Sequence, residues 1–185
     1  MLLSGRFQPP TAWLVLVLAE PRLAMLQHEP HTIDLTPEQT KQLHDVDEAV
    51  DGSAAYEREA KDVWGRWKWR RIFTLAGRWK SIRIGDCDDF SAEKLRRLLA
   101  LGFGGSLRLV ICKVGGIGHL VLSCDTTETT LILDNRFDGI WPWDHPSFQR
   151  YTWIASSVPG QKLWTRIKTA LTLEEAFRLN QGDQT

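Results

Sequence analysis

Cys87 stands in the run Gly85-Asp86-Cys87-Asp88-Asp89-Phe90, between carboxylates, where an irregular stretch gives way to a helical pattern. Downstream, His119 lies in GIGHLVL and Asp134 in LILDN. A thiol, an imidazole and a carboxylate are the groups that acyl transfer through a thioester needs. The thiolate attacks a carbonyl carbon, histidine takes the thiol proton and later delivers it to the leaving amine, and the carboxylate fixes the imidazole tautomer. A helix N-terminus favours thiolate over thiol, and its free N–H groups help hold a tetrahedral oxyanion. Taken singly, each residue has a plainer role. A lone buried cysteine is usually structural, Asp86 suits a helix N-cap, Asp88 and Asp89 complement the helix dipole, and His119 could simply close a strand. The chain order of helix-start Cys, strand His and strand Asp is what joins them.

The flanking acids work against a thiolate. A carboxylate about 6 Å away, at an effective dielectric of about 20, disfavours it by roughly 3 kcal/mol. A helix terminus returns about 0.3–1 kcal/mol, up to ~2. Two arrangements relieve the conflict. Either the acids point away from the sulfur, or a hard cation sits on Asp86 and Asp88 and cancels their charge; calcium, which takes carboxylate oxygens, suits the second. A metal site built from Cys87, Cys112, Cys124 and His119 has no supporting ligand spacing.

Several elements must position these groups. Thr36-Pro37-Glu38-Gln39 reads as a helix start, with Thr36 as N-cap and Pro37 at the first helical position. Leu43, Val46 and Val50 follow at helical spacing, and Asp51-Gly52-Ser53 breaks the pattern. A second helix is expected over about 56–69, with Ala60, Val63, Trp64 and Trp67 on one face; residues 70–85 read as basic and irregular. From Asp86 the period is helical again, with Cys87, Phe90, Leu95, Leu98 and Leu101 on the apolar side and Asp89, Glu93, Arg96 and Arg97 on the polar side. Gly102 and Gly104-Gly105 end that helix. Strands are expected over 107–113, 119–124 and 130–134, with a glycine-rich turn over 114–118 and a further strand near 148–154. A turn centred between Thr126 and Thr127 pairs Leu120 with Leu133, Leu122 with Leu131, and His119 with Asp134. Directly opposed Cβ atoms lie about 4.5–5.5 Å apart, within reach of an imidazole–carboxylate hydrogen bond. A one-residue slip would undo this.

The length of 185 residues allows one domain with a sizeable core. Lys+Arg and Asp+Glu each total 23, so net charge offers no argument for nucleic acid or an anionic membrane as partner. The nine tryptophans include clusters at Trp64/Trp67/Trp69/Trp79 and Trp141/Trp143/Trp153, which suit a core or, less often, a peptide-binding cleft. Cys112 and Cys124 could bridge in an oxidising compartment or be two small buried residues on neighbouring strands. Trp13 to Ala19, with Arg6 before it, is an apolar run too short to span a bilayer; it reads as a signal-like segment or as a buried or disordered leader. Localisation is periplasmic in the first case and cytoplasmic in the second. The expected organisation is a leader and Pro/His-rich linker over 1–33, a domain over 34–165, and over 166–185 a short helix around Thr172–Glu175 with a polar tail.

The stretches GDCDDFSAEKLRRLLALG, RLVICKVGGIGHLVL and LILDNRFDGIWPW, over roughly residues 85–145, resemble the bacterial transglutaminase-like cysteine proteinases of the papain-like superfamily. The resemblance implies an α+β fold with the nucleophile helix packed on an antiparallel sheet, a triad of Cys87, His119 and Asp134, and a protein substrate. It also implies calcium at Asp86 and Asp88, with no organic cofactor. Characterised members are periplasmic, calcium-dependent proteases that cut surface adhesins. Part of the substrate groove falls to the segment 72–84, with Trp79 as candidate groove residue. Two rivals share the fold: transglutaminase-type transfer to an amine, and a non-catalytic binding domain.

Overall fold

The computed structural model describes residues 2–58, 64–65, 67–73 and 78–168. The helix expected around Thr172–Glu175 lies outside them. The chain opens with a strand, Leu2–Phe7 (β1), a helix, Thr11–Ala19 (α1), and a 3₁₀ turn over Pro21–Ala24. The segment 1–33, expected as a leader and linker, thus contains regular structure. β1 pairs antiparallel with the last described strand, and Trp13, Leu16, Leu23 and Met25 are buried in the main core. The Pro/His-rich stretch also lies tight on the body. A Cβ added at Gly105 would come within 2.1 Å of the Glu29 carbonyl oxygen, so these glycines serve close approach as well as helix ending.

The helix Pro37–Asp51 (α2) starts as its sequence dictates. Thr36 Oγ1 accepts from Gln39 N–H at 3.2 Å, and Gln39 Oε1 accepts from Thr36 N–H at 3.0 Å. Leu43, Val46 and Val50 are buried. The next region departs from expectation. Ala54–Tyr56 (β2), Lys68–Phe73 (β3) and Trp79–Gly85 (β4) form a three-stranded sheet in the order β2-β4-β3. The helix expected over 56–69 therefore fails at both ends, and the expected irregular stretch over 70–85 contains a hairpin. Ile82 and Ile84 alternate with Ser81 and Arg83, a two-residue period that the basic composition conceals.

Helix α3 runs Cys87–Ala100. Strands β5 (Leu107–Val114), β6 (Ile117–Asp125), β7 (Thr130–Leu133), β8 (Trp141–Pro142), β9 (Tyr151–Ser156) and β10 (Trp164–Lys168) follow. With β1 they make a seven-stranded sheet in the order β1-β10-β9-β5-β6-β7-β8. All its pairings are antiparallel. Gly115-Gly116, both at positive φ (57° and 88°), close the β5–β6 hairpin in a two-residue turn. Leu107, Leu109, Leu120, Leu122 and Leu133 form one face and share a core with all three helices, while Val110, Cys112, Val121 and Ile132 pack on the other face under Tyr151 and Trp153. The fold is α+β, with α3 on an antiparallel sheet. Cys112 and Cys124 occupy opposite faces and are free thiols, which rules out the bridge.

Candidate active site

The first turn of α3 begins where the β7 ladder stops. The last β6–β7 pair is Leu122↔Leu133, so β6 runs back to Ile117 without β7 beside it. In an antiparallel strand a residue sends its N–H and C=O to the same side. Leu120 sends both toward α3. Its carbonyl accepts from Ser91 Oγ at 3.1 Å, and its N–H, on the same side, favours the thiolate of Cys87. The helix mouth thus fills the gap in the ladder and seats the thiol against the residue that follows His119.

Local sequence fixes that seat. Asp86 N–H donates to Asp89 Oδ2 at 3.2 Å, which starts the helix. Asp89, expected on the polar side, is fully buried for this reason. A Cβ at Gly85 would fall 2.5 Å from Asp89 Oδ2 and 2.9 Å from Trp67 Cε3, so only glycine fits directly before the cap. One residue later, Cys87 is half-buried and joins the main core as its helical stripe requires.

His119 Nε2 and Asp134 Oδ1 are 2.8 Å apart, and both side chains are buried. They are not directly opposed as expected. The loop spans Thr126 to Thr129, closed by Thr126 N–H to the Thr129 carbonyl at 2.9 Å, and shifts the register by two residues so that Leu122 rather than Leu120 faces Leu133. A shift of two keeps every side chain on its face. Asp134, just past β7, still reaches His119 as a diagonal neighbour. Tyr151 donates to Asp134 Oδ2 at 2.6 Å, and Arg136 N–H to Oδ1 at 3.1 Å. Burial alone would raise the Asp134 carboxyl, but the hydrogen bond and charge of His119, with Tyr151 and Arg136, hold it below its ordinary range. With Nε2 engaged by Asp134, Nδ1 is the nitrogen left to exchange a proton.

Cys87 and His119 line one cavity of about 390 Å³ together with Asp86, Asp88, Tyr56 and Arg58. Burial, opposed by the Leu120 N–H and reinforced by the charges of Asp86, Asp88 and Asp134, pushes the Cys87 thiol up to about 12. Ligating atoms of Asp86, Cys87 and Asp88 lie within 4.8 Å of one another. Trp79 pairs through its backbone with Phe73, at the end of β4 away from Cys87; its side chain lies outside the described residues. Sequence reasoning missed Tyr151, whose strand was expected but whose partner is set only by sheet order. It also missed Tyr56, assigned there to a helix.

The profile of the bacterial transglutaminase-like cysteine proteinases matches residues 4–171. The chain belongs to this family. A cysteine proteinase family implies a peptidase acting on protein substrates. No curated protein matches the chain. Among solved structures, Legionella pneumophila LapG is similar at 24% identity over 77% of this chain and 78% of that one, with a TM-score of 0.50. Its calcium-bound form is similar at 20% identity over 95% and 100% of the two chains, again with a TM-score of 0.50. Its EGTA-treated form is similar at 25% identity over 78% and 76%, also with a TM-score of 0.50. These likenesses bear on the fold: α+β, as expected. Among the described residues, no helix is long and apolar enough to cross a membrane.

Proposed function

We propose that the protein is a peptidase that cleaves a peptide bond through a Cys87 thioester. The observation that carries the reading is the buried 2.8 Å contact of His119 Nε2 with Asp134 Oδ1, on a wall of the cavity that Cys87 also lines. His119 Nδ1 takes the thiol proton as sulfur attacks the carbonyl carbon. The imidazolium then delivers that proton to the leaving amine, and Asp134 stabilises the charge throughout. Water, deprotonated by the same nitrogen, releases the acyl group. The N-terminal end of α3, with its partial positive charge, favours the developing oxyanion.

The donor set beside the thiol fits a hard cation, since the carboxylate oxygens of Asp86 and Asp88 lie close enough to share one calcium. Bound there, calcium would supply positive charge that offsets the two acids next to the sulfur. The resemblance extends the substrate class to surface adhesins. Without such a cation, burial and the neighbouring acids push the Cys87 thiol up, which suits a non-catalytic domain. Incubating the protein with an adhesin fragment and sequencing any new N-terminus tests the reading. Cleavage by the parent protein and none by Cys87→Ala supports it. Cleavage surviving in Cys87→Ala refutes it. Incorporation of a labelled amine without a new N-terminus marks acyl transfer.

A further inference from the structure

Gly118 precedes His119 in β6, and its own conformation does not require glycine. Its φ lies outside the left-handed region, and a Cβ built on it meets nothing within 4 Å. Such a glycine weakens a strand without any folding reason. It sits, however, at the meeting of two cavities. The one of about 390 Å³ contains Cys87; a second, of about 180 Å³, is lined by Asn135 and Arg136. Gly118, His119 and Tyr56 line both. Tyr56 is 54% exposed, a large aromatic standing open where the cavities join. Gly118 lies on the stretch of β6 that has no β7 beside it, and its backbone groups, like those of Leu120, turn away from β5.

We infer that the two cavities are lobes of one cleft for an extended polypeptide segment, with Gly118 as its bare floor and Tyr56 as its wall. The inference rests on the hydrolase reading for its occupant. A substrate main chain crossing from the Arg136 lobe to the Cys87 lobe must pass over Gly118, and the missing side chain lets it approach His119 and the sulfur. Gly118 and Tyr56 are therefore specificity-determining residues: they admit extended, unbranched backbone and exclude a folded or compact acyl group. A side chain at Gly118 would stand in the substrate's path while leaving the protein's packing untouched.

The test compares two reagents on Cys87, with calcium in the buffer: iodoacetamide, small enough to need no cleft, and acetyl-tetra-alanyl chloromethyl ketone, which presents main chain with minimal side chains. In Gly118→Val the ketone rate should fall about ten-fold or more. The iodoacetamide rate should stay within about two-fold, since the thiol environment is unchanged. The melting temperature should hold or rise, because replacing an unstrained glycine restricts the unfolded chain. Tyr56→Ala should slow the ketone alone. Equal loss with both reagents, or no loss with the ketone, overturns the inference. Failure of the hydrolase reading shows separately, as a parent Cys87 no more reactive than free cysteine. In that event, saturation-transfer NMR of acetyl-tetra-alanine amide on Cys87→Ala and on Cys87→Ala with Gly118→Val decides. A transfer signal that vanishes in the double variant upholds the cleft; a signal that persists there, or that neither protein gives, overturns it.

Discussion

The Tyr151 hydroxyl donates to Asp134 Oδ2 at 2.6 Å, on the oxygen opposite the one that His119 engages. Tyr151 is itself buried against Phe148 and Trp153, so Asp134 is held from both sides by groups that cannot swing away. Tyr151→Phe keeps the ring packing and deletes one donor to a buried carboxylate, a loss of about 1–3 kcal/mol. The Asp134 carboxyl then rises. Because its lowered value stabilises the folded protein above the ordinary carboxylate range, and that stability is lost as pH falls through the folded value, acid unfolding should begin at higher pH in the variant. Urea midpoints measured down the acid limb check this. Peptidase activity should fall about ten-fold, in kcat rather than KM, since the imidazole loses its anchor. A variant with parental kcat would show that His119 needs only one side of Asp134 fixed.

Cys87 offers a second prediction. With burial and three carboxylates pushing the thiol up to about 12, alkylation by iodoacetamide in the presence of chelator should climb about ten-fold per pH unit through the neutral range, with no plateau. Asp88→Asn removes one opposing charge and should speed labelling at fixed pH. Calcium should accelerate the parent protein and leave this variant unmoved. Identical parent rates in calcium and in chelator would remove the cation from the account.

Gly85→Ala tests the helix start. The new methyl would fall 2.5 Å from Asp89 Oδ2 and must displace the carboxylate that accepts the Asp86 N–H. Overpacking of this kind costs about 1–3 kcal/mol. Thermal melts should show the loss, and Cys87 labelling should become less uniform as the first turn of α3 frays. An unchanged melt would mean that Asp89 can move aside freely.

The placement of the candidate site was legible in sequence because its residues sit on strongly periodic elements. The α3 stripe places Phe90, Leu95 and Leu98 in the core but misplaces Asp89, which is buried, and Leu101, which is 47% exposed. The alternation of Leu120, Leu122, Leu131 and Leu133 assigns faces correctly even where the pairing is two residues out, since an even shift preserves the face. The exact register depended on a four-residue loop that Thr126 closes through its own hydroxyl, a local contact that composition does not announce. The β3–β4 hairpin was hidden for a different reason. Its strands are basic and Trp69 is 68% exposed, so the buried Ile84 stands without a hydrophobic run to announce it. The burial of the N-terminal apolar run was not legible in sequence, because Trp13 packs on Trp164, more than a hundred residues away. Tyr151 meets Asp134 only after β9 has paired with β5, a relationship of sheet order that no local pattern encodes.

Lys94, two turns into α3 from Cys87, is 1% exposed and reaches Asp47 at 2.6 Å and Asp51 at 2.9 Å on α2. Burial, opposed by Lys94 and reinforced by Asp47, raises the Asp51 carboxyl to about 6. Its folded value exceeds its unfolded one. Between pH about 4 and about 6, the folded protein therefore keeps a proton that the unfolded chain releases, and this group's contribution to stability falls as pH rises through that window. Asp51→Asn should flatten the stability curve there, read as urea midpoints across the window. Lys94→Met leaves the buried Asp47 and the half-buried Asp51 without their cation and should cost about 3 kcal/mol at neutral pH. The cost should shrink on acidification, because both acids can then be neutral. A Lys94→Met penalty independent of pH would mean that shape, and not charge, holds the nucleophile helix against α2.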